Sequence, residues 1–343
     1  MICGNTMYRT DCPLRSACHG IAQGISEKTM LQLKNGPFIH AIGHVTRPDF
    51  AVHSAVVPGE TFTPPVLVTD EGHISTVAPL THEQMLQPLP KEVLKASGVA
   101  RARNSAKSTI YAALVAQEFN RLLSGKPGYN PDRVIVGVNN NSASTAISWE
   151  YETEGVTRGW RNTNTMLMPS ALPSAMGTQI SSAIQTHNAT ITFLNDILGM
   201  CAAMEYTHIN FFHERADYAF LIASEEISVL RAKVQERKQD PLIVERDGAA
   251  GLLLCKEKPG ERAWRLSLYQ HAAYFKDIAV PADWQDAKIL HISLPEHKTA
   301  FSPLIFPFAV YKLCTQEDSD KAILIISVEN RSTCALGFQL TDR

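Results

Sequence analysis

The sequence predicts a layered α/β fold. Short runs of β-branched and aliphatic residues alternate with longer stretches of helical apolar spacing through the middle of the chain, and such strands bury both faces only between layers of helix. The bulk agrees: 343 residues, 45% hydrophobic and 19% charged, are enough for a large core and too apolar for disorder.

The first 35 residues are polar and turn-rich, and read as an N-terminal extension. Pro37 to His44 reads as the first strand. From Ser105 to Leu123 the residues Ala106, Ile110, Ala113, Leu114, Ala116, Phe119 and Leu122 recur at helical spacing, and Ser124-Gly125 ends the run. Arg133 to Val138 reads as a buried strand, followed by a polar loop from Asn139 to Thr145. Next come a small-residue helix (Ser170 to Gln185), a strand (Ala189 to Leu194), an apolar helix (Ile197 to Phe212) and a strand (Asp217 to Ala223). After Glu226 the pattern thins, with strands at Gly251 to Cys255, Ala287 to Ile292 and Ala322 to Val328. Phe301 to Leu313 reads as one apolar helix, in which Pro307 must kink the axis or delay its onset.

Several classes of function are disfavoured. The formal net charge is -2, with no block of like charges in the sequence, so no nucleic-acid partner is expected. No apolar run approaches a membrane span, and the N-terminus lacks a signal or transit pattern, so a cytoplasmic location is expected. The seven cysteines are odd in number and dispersed. Cys12, Cys18 and His19 match no common zinc module, and no metal or other cofactor is expected. His40, His44, His53 and His73 are scattered, and His208 and His213 are five apart, so neither set makes a catalytic constellation.

One stretch carries more. Pro169-Ser170 leads into the small-residue helix, then His187 to Phe193 (HNATITF), a second helix, and Ala216 to Leu221 (ADYAFL) ending in Ala223-Ser224-Glu225. This order resembles the β-ketoacyl synthases of the thiolase superfamily. Pro37 to Val45 is similar to their opening strand, and Arg246 to Ala250 to a contracted Arg-Asp-Gly to Glu-Gly-Ala-Ala segment. Glu296-His297 and the following helix resemble the Gly-His helix, and Ser327 to Leu340 the last strand pair. The resemblance implies five layers, α-β-α-β-α, from two related halves at residues 36–235 and 236–343. The second half is shortened.

Ketosynthase chemistry needs a thiolate at a helix N-terminus, where the dipole and free N–H groups lower its pKa and form an oxyanion hole. Aligned on the flanking segments, the cysteine position is Ile197; matched through Gly199 it is Asp196. Neither forms a thioester. Cys201 is the nearest thiol, one helical turn away. There is no His-Gly-Thr motif, Ile292 stands where a lysine is expected, and the glycine-rich turn reads Thr333 to Gly337. Only His297 stays in register with a family histidine.

The resemblance therefore implies a chain-length factor, which pairs with an active ketosynthase and shapes the tunnel for an acyl chain borne on an acyl carrier protein. Such members usually carry glutamine at the cysteine position, and this sequence does not. On the family pattern Ala189 to Leu194, with Thr190 and Thr192, is the edge that meets the partner. Met166, Leu167 and Met168, with Ala171 one turn on, reach the partner's tunnel. Two other readings stand beside this one: an enzyme with an atypical site built from Cys201 and His297, and a scaffold that binds acyl carrier proteins.

Overall fold

A computed structural model describes residues 30–76, 81–140, 145–227, 247–273, 278–294, 303–315, 319–329 and 332–342. In chain order these give β1 (Leu31–Gln32), β2 (Phe38–Thr46), β3 (Val52–Val56), β4 (Val66–Val68), β5 (Ile74–Thr76), α1 (His82–Leu86), α2 (Lys91–Ala96) and α3 (Lys107–Ser124). There follow β6 (Val134–Asn139), α4 (Thr145–Arg158), α5 (Met168–Ala171), α6 (Ala175–Ile184), β7 (Thr190–Phe193), α7 (Leu198–Phe212) and β8 (Tyr218–Glu225). The remainder is β9 (Gly248–Cys255), β10 (Ala263–Ala273), β11 (Lys288–Leu294), α8 (Ile305–Cys314), β12 (Lys321–Val328) and β13 (Ser332–Thr341).

The strands run β11-β12-β13-β10-β2-β9-β8-β6-β7, with β1 beside β10 and β3 beside β2. Strands β2 and β10 share only the pairs Ile39–Trp264 and Phe38–Arg265. There the sheet folds back into two arms. Helix α7 touches β6, β7 and β8 of one arm and β13 of the other, while α8 touches β9 on one side and β11 and β12 on the other. Both helices thus lie between the arms, in one apolar cluster fed by both. Helices α3 and α6 cover the outer face of the first arm. The outer face of the second is covered by Met30, Trp284 and their neighbours, Trp284 standing on a single 3-10 turn. The two sheet arms with helices between and outside them match the expected α/β layering, and among the described residues the outermost layer holds the single 3-10 turn.

Local chemistry explains where expectations moved. The expected helix from Ser170 to Gln185 is two helices, because Pro173 forces Leu172 out of helical geometry, to φ -76 and ψ 134. Pro307 delays the onset of α8: the helix starts at Ile305, so the proline sits in the first turn, where its missing N–H costs nothing. Residues Thr333 to Gly337 form no turn. They lie inside β13, paired on both sides with β10 and β12. Strand β10 was not anticipated, although Trp264, Leu266 and Leu268 alternate along it. A bulge between Leu266 and Leu268 turns the strand, so Leu266 joins the central core and Leu268 the outer cluster. Residues 30–33, expected in the extension, are packed: Leu31 pairs with Tyr269, and Met30 and Leu33 are buried.

Phe119 fixes how α3 seats on the sheet. Gly43 and Gly251 are direct partners across β2 and β9. A Cβ at either would lie 3.0 Å and 3.2 Å from the Phe119 ring, so the pair makes the slot the ring fills. The ring meets Phe220 edge-on at 5.6 Å. Phe119→Ala is expected to cost about 3–5 kcal/mol, with Gly251→Ala also destabilising, both measured by denaturant midpoint. The exposed Val156→Ala should change the midpoint little.

Candidate functional site at the strand ends

Strands β6, β7 and β8 are parallel and bring their C-terminal ends to one side, the usual place for ligands in such sheets. Helix α7 begins there. Asn139 closes β6 and is fully buried; its Nδ2 donates to the Asp196 carbonyl at 2.8 Å. Only glycine fits opposite it, because a Cβ at Gly199 would lie 2.5 Å from Asn139 Oδ1. The Asp196 carboxylate accepts the Leu198 N–H at 3.0 Å, and the Gly199 N–H donates to the Asp196 carbonyl at 3.0 Å. The positive end of α7 is therefore capped by this chain's own carboxylate, 4% exposed.

Ile197 precedes the helix and is fully buried in the central core. Cys201 lies one turn into α7, also fully buried. Its neighbour Cys334 has its pKa raised well above the usual thiol range by burial and then by the Cys201 thiol. At this helix terminus the backbone N–H groups of the first turn face protein atoms, and no thiol stands at the positive end. His297 lies outside the described residues, as do Cys12, Cys18 and His19. Ile292 is buried in β11.

Among the described residues strand β7 ends the sheet and pairs only with β6, leaving its outer edge without a strand partner there. Thr190 is exposed and Thr192 half-buried, and both lie against Gly177 of α6, which has no side chain to displace them. Leu194, which follows β7, is exposed, as are Met166, Met168 and Leu172 around the short helix α5. Leu167 departs from the expected role. It turns inward, 3% exposed, onto Ala106 and Ile147, with Ala171 packed against the same cluster.

The structure assembles a polar centre that the sequence did not reveal. The buried Asp247 carboxylate accepts from Arg47 Nε (2.9 Å), Tyr111 Oη (2.9 Å), Lys107 Nζ (3.2 Å) and the Ile227 N–H (2.8 Å). Glu226, fully buried, accepts the Ser108 N–H at 2.8 Å and so caps α3 from another element. Its other oxygen finds no partner among the described residues. The only hint was Arg47, Asp247 and Glu226 standing at strand ends. His44 and His53, apart in sequence, are register partners stacked at 5.1 Å, with Phe62 and Phe308 against His44. Among the described residues no group of three His, Cys, Asp or Glu could hold a metal ion, and no helix is long and apolar enough to cross a membrane.

Burial pushes Glu226 up to about 7, against the Ser108 N–H and Lys107, which favour its charged form. The folded state therefore keeps a proton that the unfolded chain releases above the ordinary Glu range. This contribution, on the order of 3 kcal/mol, is full at pH 4 and declines as pH rises to about 7. Urea midpoints across that window should fall with pH in the native chain, and Glu226→Gln should flatten this component.

No family model matches the sequence, and no curated protein does. Solved structures do. The chain is similar to the ishigamide ketosynthase/chain length factor, with a TM-score of 0.60 and 11% identity over 89% of this chain and 99% of that one. It is also similar to a β-ketoacyl synthase from Burkholderia phymatum STM815 (TM-score 0.55, 10% identity, 90% of this chain and 100% of that one). A third likeness is to a structure of a type II PKS acyl-carrier protein in complex with its ketosynthase bound to the hexaketide (TM-score 0.54, 12% identity, 89% and 99%). Likeness at this identity is likeness of fold: the chain has the thiolase-like fold of the ketosynthases.

Proposed function

We propose that this chain is a non-catalytic ketosynthase-like subunit of the chain-length-factor type. It pairs with an active β-ketoacyl synthase in the cytoplasm and shapes the tunnel in which a carrier-borne acyl chain grows, in a type II polyketide or polyene pathway. One observation carries the reading. At the helix terminus where this fold offers a nucleophile, the chain places a buried isoleucine, Ile197, and a capping carboxylate, Asp196. The edge of β7, unpaired among the described residues and followed by the exposed Leu194, supports the pairing, since such a strand is stabilised by burial against a partner. In this reading residues 36–235 and 236–343 are the two halves of a shortened ketosynthase. The burial of Cys201 in the core counts against an acyl-enzyme at that thiol.

Co-expression with a type II β-ketoacyl synthase from the same genome should give a 1:1 complex by gel filtration with mass detection. Incubation with acyl or malonyl carrier protein should leave the intact mass of this chain unchanged while the partner gains an acyl group. A stable monomer that ignores the ketosynthase, or an adduct on Cys201, would overturn the proposal.

Product length gives a second test. Met168 is 55% exposed and in the proposed role reaches the partner's tunnel, so Met168→Ala should lengthen products by about one extender unit. Leu167→Ala opens a hole within this chain and should cost about 2–3 kcal/mol of stability without lengthening products. Mass spectrometry of products from intact complexes separates the two.

A further inference from the structure

A cavity that the proposed role leaves unused lies at the other end of the sheet from the start of α7. Strands β2, β8 and β9 pair so that Thr46, Glu225 and Gly248 share one end, and Phe38, Tyr218 and Cys255 the other. The cavity, about 800 Å³, opens at that second end. Its walls come from both arms: residues 57–61 after β3, residues 259–262 before β10, the C-terminus of α8, and Ser319 and Asp320 before β12. Such a volume suits a small organic molecule.

Two features define what fits there. The first is charge. Glu60, Glu261 and Asp320 line the cavity and are all exposed, so they stand at its mouth. Arg262, the one cation among the described lining residues, is held by Asp342 at 3.0 Å. Helix α8 ends in the same wall at Cys314 and Thr315, which adds the negative end of its dipole. The second feature is a buried donor. His40, 7% exposed, lines the cavity. Its Nε2 is 2.6 Å from Lys126 Nζ, an ammonium that only donates, so the ring accepts there and carries its proton on Nδ1. Burial, then the Lys126 charge, brings the His40 pKa down to about 4 against the pull of Glu60, so the ring is neutral. Among the described residues Nδ1 meets no acceptor. The rest of the interior is largely apolar, from Val57, Trp264, Cys314 and Leu340.

We propose that this cavity binds a primary amine of small-metabolite size, its ammonium among Glu60, Glu261 and Asp320, its apolar body over Val57 and Leu340, and an oxygen accepting from His40 Nδ1. A metal ion is a poorer fit, because among the described residues no three His, Cys, Asp or Glu side chains could hold one. Phosphates and carboxylic acids meet the wrong sign of charge at the mouth. The site does not rest on the subunit role proposed above.

The test is titration calorimetry of the full chain, alone or as its complex with the co-expressed ketosynthase, using tyramine and the larger serotonin. Both should bind at one site per chain. Phenethylamine, which lacks the oxygen, should bind roughly fivefold more weakly than tyramine. Phloretic acid, with a carboxylate in place of the ammonium, should not bind. Glu60→Gln with Asp320→Asn should weaken tyramine binding roughly fivefold. Gly260→Phe should abolish it: a Cβ there meets nothing nearer than the Arg262 carbonyl at 3.9 Å, so the ring enters the cavity without disturbing the fold. Glu152→Gln, an exposed change on α4, should leave affinity unchanged. Denaturant midpoints establish that each variant is folded. Binding of neither amine, or tyramine affinity unmoved by the double variant and by Gly260→Phe, would overturn the proposal. So would phloretic acid binding as tightly as tyramine, or micromolar magnesium displacing tyramine.

Discussion

The carboxylate of Asp247 is the constraint on which the first arm of the sheet depends. It begins β9, and its donors come from the end of β2, the first turn of α3 and the segment leaving β8. A buried carboxylate without partners would cost several kcal/mol, so these elements must converge or the fold loses its balance. Ser224 adds a neutral clasp, its hydroxyl donating to the Ser108 carbonyl at 2.6 Å. The result is a rigid corner at the C-terminal ends of the strands, beside the start of α7. Tyr111 is part of it, and burial with the neighbouring Asp247 pushes its hydroxyl well above the usual phenol range, so it stays a donor.

Against that corner, the terminus of α7 is arranged to be filled. Asn139 reaches across from β6 to the Asp196 carbonyl, Gly199 gives it room, and the Asp196 carboxylate takes the first free N–H. A helix terminus that elsewhere could hold an anion or a thiolate is here satisfied from within. Burial of Ile197, Met200, Cys201 and Met204 continues the same packing into the layer between the arms. In the proposed reading the chain keeps a ketosynthase scaffold while core side chains take the place of the reacting group. The shaping role proposed above asks for that scaffold and for a surface, for which the edge of β7 is the proposed place.

Pairs of residues close in space and distant in sequence tie residues 62–72 to residues 288–312. Tyr311 of α8 donates to the Phe62 carbonyl at 2.9 Å and stacks on the Phe62 ring at 4.1 Å. Asp70, in the turn between β4 and β5, meets Lys312 at 3.0 Å and Lys288 at 3.6 Å. Gly72 approaches the His291 carbonyl so closely that a Cβ would lie 1.9 Å from it. The β4–β5 hairpin thus packs on β11 and α8, far along the chain from it.

The sequence by itself determined the alternation of strands and helices, because buried parallel strands must be continuously apolar and the helix between them must carry its apolar residues at helical spacing. Arg133 to Val138, Asp217 to Ala223 and Ile197 to Phe212 were legible for that reason. The order of these segments also determined the resemblance, and with it the absence of a cysteine at Ile197 or Asp196. Periodicity could not decide which side chains turn inward where it breaks down: in the short helix at Met168, Leu167 is buried while its neighbours Met166 and Met168 are exposed. Nor could it bring together Arg47, Tyr111, Lys107 and Asp247. Charge and hydrogen bonding act through space and leave no period along the chain, so only the tertiary structure decided where those groups meet.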